Sequence, residues 1–124
     1  MFDTRVGEPV QSAYGPHVCG DTIDLHEFNI LAGSYNTKDV LTIWDMRKMR
    51  VLHKIDWQKT GARRDQSYVY AAMFSKKSGD SIIAGGKGAS QVQLFHNDLD
   101  NECPPFADLG DLEQSVFTVD VGNK

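Results

Sequence analysis

The chain has 124 residues, 40% of them hydrophobic, and carries 17 acidic against 13 basic side chains for a formal charge of −4. That is enough apolar material for one buried core, while the acidic balance argues against broad attraction to nucleic acid, whose phosphates reward basic surfaces. No apolar run approaches the ~18 to 20 residues of a membrane-spanning helix, and the opening MFDTRVGEP reads as neither a secretory leader nor a transit peptide.

In chain order the segments read as strands and turns, with almost no helical periodicity. MFDTR opens the chain, and the Gly15-Pro16-His17 stretch precedes a small-residue strand around Ile30-Leu31. The polar turn SYNTKD leads into VLTIWD, which ends in Trp44-Asp45, and a second alternating run, VLHKIDW, follows. QKTGARRDQ (58–66) is a polar insertion. Then come SYVYAAMFS (67–75), a strand around Ile82-Ile83, the glycine-rich turn AGGKGAS (84–90), VQLFH, the loop-rich HNDLDNECPPFADLG (96–110) and finally QSVFTVDVG (114–122). Each Gly, Asn, Asp or Ser cluster stands where a hairpin turn belongs. The basic groups Arg47, Lys48, Arg50 and Lys59, Arg63, Arg64 read as solvated turns.

These segments repeat. ILAGS-turn-VLTIWDMR (30–47) lines up with IIAGG-turn-VQLFHND (82–97), so that Trp44 falls on Phe95. MFDTR falls on IWDMR, with Phe2 on Trp44 and Asp3 on Asp45, and SYVYAAMFS falls on QSVFTVDVG. The separations, 42 residues from Phe2 to Trp44 and 51 from Trp44 to Phe95, are close to a repeat class of ~40 to 45 residues if the second unit carries insertions.

With these residues in place the chain resembles the WD40-repeat family of β-propellers, in which a Gly-His pair opens a repeat and a Trp-Asp pair closes its third strand. Here Gly15-Pro16-His17 is one residue looser than the family pattern, and 26 residues lie between His17 and Trp44, within the family's usual spacing. The second repeat departs further, with Phe95-His96 in place of Trp-Asp. The resemblance implies an all-β segment of four-stranded antiparallel blades: residues 1–14 end one blade, 15–57 form a full blade, and 58–66 are a linker insertion. Residues 67–110 then form a degenerate full blade and 111–124 the first strand of the next. Closure takes typically 4 to 8 blades, so this chain alone does not close the ring. The resemblance further implies a structural hydrogen-bonded network, carried over here onto His17, Ser34, Asp39 and Trp44, with Trp44 nearly buried. Asp39 lies one position closer to the Trp than the family pattern has it.

Sites of chemistry are weakly drawn. AGGKGAS contains a Gly-Lys pair, but a phosphate loop needs Ser or Thr after the lysine and then a helix; Gly88 follows Lys87 and a strand pattern follows the turn. Cys19 and Cys103 are far apart without a Cys-x-x-Cys pair, which points to a reducing compartment and gives no zinc spacing. Asp21 and Asp24 lie near His17 and His26 but belong to a turn, where Asp is favoured for its side-chain hydrogen bonds. The resulting expectation is a non-catalytic interaction scaffold without cofactor or metal. It sits in the cytoplasm, or in a nuclear or cytoskeletal assembly, and its partners are other proteins or further blades of the same protein, not nucleic acid or membrane. The competing expectation is a small single-domain β enzyme or ligand-binding barrel whose repeats are coincidental.

Overall fold

A computed structural model describes residues 2–3, 5, 7–9, 15–35, 39–55, 68–76, 78–87, 92–109, 114 and 116–122. Alternating apolar and polar residues bounded by turn formers produce ten strands: β1 (Phe2–Asp3), β2 (Glu8–Pro9), β3 (Ile23–His26), β4 (Asn29–Gly33), β5 (Leu41–Asp45), β6 (Arg50–Ile55), β7 (Tyr68–Phe74), β8 (Ser81–Lys87), β9 (Val92–His96) and β10 (Pro105–Leu109). One 3-10 turn, Leu99–Asn101, is the only helical element among the described residues. None of their helices is long and apolar enough to cross a membrane.

The strands form two four-stranded antiparallel sheets, each in simple sequence order, β3-β4-β5-β6 and β7-β8-β9-β10, beside the two-stranded β1-β2 pair. Neither four-stranded sheet closes on itself, so no barrel forms among the described residues. The expected repeat shows in the register. Ile30 pairs with Trp44 as Ile82 pairs with Phe95, and Leu25 pairs with Ile30 as Phe74 pairs with Ile82. The pair Phe2↔Pro9, Asp3↔Glu8 has the spacing of Trp44↔Val51, Asp45↔Arg50. The expected insertion 58–66 and the tip of the AGGKGAS turn lie outside the described residues. On either side of that tip, β8 ends at Lys87 and β9 begins at Val92 as antiparallel neighbours, which is a hairpin and leaves no helix for a phosphate loop.

The core lies between the sheets. Leu31, Leu41, Ile43 and Ile55 of the first face Phe74, Ile82, Ala84 and Phe95 of the second in one buried cluster. The facing strand edges are stitched by backbone bonds: the Val69 N–H donates to the Ser34 carbonyl at 3.1 Å and the Ala72 N–H to the Asp21 carbonyl at 2.9 Å. Asp24, one of the acids weighed for acid-base chemistry, is used here instead. Its Oδ2 accepts the Phe74 N–H at 2.8 Å and its Oδ1 the Leu25 N–H at 2.9 Å.

The seam depends on a glycine. A Cβ on Gly33 would lie 2.6 Å from Val69 Cγ1, so the absence of a side chain lets β7 press onto β4. The same device recurs at the other face of the second sheet. A Cβ on Gly85 would lie 2.7 Å from Val116 Cγ1, and the Val116 N–H donates to the Gly86 carbonyl at 3.0 Å. Residues 116–122 therefore sit against β8 as β7 sits against β4. They are not in strand ladders, although a strand was expected over 115–121. A strand is defined by a hydrogen-bonded neighbour along its edge, and the described residues supply none there. The Lys76 Nζ to Asp120 Oδ1 ion pair at 2.7 Å pins this strap at its far end.

Candidate functional site

The four residues of the expected network are brought together only in part. Ser34, buried at the end of β4, accepts the backbone N–H of His17 through its Oγ at 3.0 Å, and the Tyr35 N–H returns a bond to the His17 carbonyl at 3.1 Å. His17 thus joins through its main chain, and its ring packs on Tyr35 with centroids 5.5 Å apart. Trp44 stands in β5, the third strand of its sheet, and donates its indole N–H to Thr42 Oγ1 at 2.9 Å, while Thr42 Oγ1 donates to the Ala32 carbonyl at 3.3 Å. Asp39 lies in the left-handed region at φ 52° and pairs with Lys54 Nζ at 2.9 Å on the exposed surface.

Thr42 was not singled out from sequence. It precedes Trp44 by two residues, and the two-residue period of a strand puts both side chains on one face, so the alternation itself carried the information.

Asp45, the partner of Trp44 in the Trp-Asp pair, organises the turn that follows. Its Oδ1 accepts the Arg47 backbone N–H at 2.8 Å, and the Arg47 guanidinium closes on the same carboxylate at 3.4 Å while lying over the Phe28 ring. The Arg47 amide first, and its guanidinium after it, hold the Asp45 carboxyl below the usual carboxylate range, against the opposing effect of burial. A depressed folded-state value stabilises the fold above the unfolded value of about 3.9 and is lost as pH falls through the folded one. The denaturant midpoint is therefore expected to be insensitive to this group between pH 7 and about 5 and to fall below about pH 4. Asp45→Asn should show a shallower acid decline when the two midpoints are compared across that range.

The larger feature is apolar. The outer face of the first sheet presents the row Leu25, Ile30, Trp44 and Val51, flanked by Ile23. By register these match Phe74, Ile82, Phe95, Pro105 and Ala72 of the second sheet. The matched sites differ in burial. Phe74 and Ala72 are 2% exposed and Phe95 0%, because the first sheet covers them; Leu25 is 54% and Ile23 60% exposed. Trp44 is half-buried, not nearly buried as expected; among the described residues Gly15, Pro16, Val18 and Met49 flank it. A groove of about 260 Å³ runs between these residues and the sheet.

No cluster of His, Cys, Asp or Glu that could hold a metal ion is found among the described residues. Cys103 is buried in the core cluster, where burial pushes its thiol up and keeps it protonated. Comparisons with protein-family models, with curated proteins and with solved structures give no match.

Proposed function

We propose that this chain is a segment of a WD40-type β-propeller and serves as a non-catalytic scaffold, holding other polypeptide against the outer face of its first sheet. The observation that supports the reading most directly is the mismatch between equivalent sites: Leu25 and Ile23 are exposed where Phe74 and Ala72 are sealed. In repeat architectures each unit buries its faces on its neighbours, and stability is a sum of unit and interface terms. A contiguous apolar face of this kind on a protein surface marks an interaction site. The polypeptide that covers it comes from another protein or from further blades of the same one, in the cytoplasm or a nuclear or cytoskeletal assembly.

The test is a photoreactive amino acid at Leu25 of the full chain in cells. Irradiation is expected to give adducts with polypeptide that are lost when Ile23 is also replaced by Asp and that do not form from the exposed turn position Glu102. Leu25→Asp should leave the unfolding free energy of the isolated chain within about 1 kcal/mol, since the site is already half in water. Absence of adducts at position 25 overturns the scaffold reading.

A further inference from the structure

A second hollow, of about 440 Å³, opens where three separate parts of the chain meet: Val18-Cys19 before β3, Tyr35 after β4, and Tyr68 and Tyr70 on β7. We propose that it is a binding site for a methylated ammonium group carried on a peptide side chain.

Backbone bonds build the hollow, and they arrange the rings before any ligand arrives. The Ser34 carbonyl accepts the Val69 N–H, which sets Tyr35 beside the residue that separates Tyr68 from Tyr70. The Tyr35 N–H donates to the His17 carbonyl, which draws residues 17–19 in from the other side. The rings are held by one another and by their neighbours. Tyr68 stacks on Tyr70 with centroids 6.4 Å apart and planes 29° from parallel, Tyr70 stacks on Phe117 of the strap at 5.0 Å, and Tyr35 leans on His17. Tyr35 stays 46% exposed at the mouth.

Charge selects the ligand class. Aromatic faces carry the negative end of the ring quadrupole and attract a cation within ~6 Å, best when that cation is large and cheaply desolvated. None of the five lining residues is cationic. An ammonium on a neutral stem, as on a methylated lysine, matches an aromatic lining of this kind. The proposal stands independently of the outer-face interaction, since it uses different residues and a different chemistry.

The test is a titration of the full chain followed by the ring resonances of Tyr35, Tyr68 and Tyr70. Choline and N-acetyl-trimethyllysine methylamide are expected to shift them, with the uncharged isostere 3,3-dimethylbutanol about tenfold weaker, as one to two lost cation–ring interactions require. Phosphocholine should bind more weakly than choline. Tyr35→Leu should lose most of the affinity and Tyr35→Phe retain it, because the ring and not the hydroxyl is used. Equal binding of the uncharged isostere, full binding by Tyr35→Leu, tighter binding of phosphocholine, or no response to the lysine derivative would each overturn the proposal.

Discussion

Phe95→Ala is expected to cost about 3 to 5 kcal/mol, the range for emptying a fully enclosed aromatic site, whereas Trp44→Ala in the isolated chain should cost clearly less. Side-chain size alone gives the opposite order, because tryptophan is larger than phenylalanine. Register puts the two residues at the same place in their sheets, fourth in the third strand and opposite an isoleucine of the second. The difference lies in what stands across from each: Phe95 is 0% exposed within the inter-sheet cluster, and Trp44, on the opposite side of the first sheet, is half-buried. Urea midpoints at unchanged slope would measure both losses. A loss at Trp44 equal to or greater than that at Phe95 would show that the two sheets do not pack as described.

Among the described glycines, Gly86→Ala should be the most damaging replacement, costing about 3 kcal/mol, at the upper end of overpacking. The new Cβ would run into the carbonyl oxygen of Tyr68. The register shift between Val69 and Ala71 bends β7 toward β8 at this point, so the obstacle is backbone held in a ladder and has no rotamer to escape into. The position equivalent to Gly86 in the first sheet is Ser34, a side chain tolerated there that hydrogen-bonds to His17. Gly122→Ala serves as the control, since a Cβ there meets nothing within 4 Å; its effect should stay within about 0.5 kcal/mol. Thermal unfolding of both variants separates a specific clash from a general intolerance of glycine replacement.

The strand order was legible in the sequence because each hairpin is a local object: two alternating runs and a turn of Gly, Asn, Asp or Ser fix its register without reference to the rest of the chain. The pairing of 30–47 with 82–97 as separate but equivalent units was legible for the same reason. Burial of Trp44 was not. The pattern LTIWD shows that Trp44 shares a face with Thr42, but whether that face is covered depends on a neighbour that no local pattern specifies. The absence of a strand ladder at 116–122 is the same lesson at the other end, because VFTVDV has the propensity of a strand and the described residues supply no ladder for it. The tyrosine hollow was hidden altogether: Tyr68 and Tyr70 are visible as an alternating pair, but Tyr35 joins them only through the Ser34 to Val69 bond, which links distant parts of the chain.

The glycine-and-valine joint appears twice, Gly33 receiving Val69 and Gly85 receiving Val116. Its two halves lie on successive units, with the receiving glycine in one and the inserted valine in the next. A gene that lengthens by copying one such unit therefore inherits a working junction at both boundaries of the insert and needs no compensating change elsewhere.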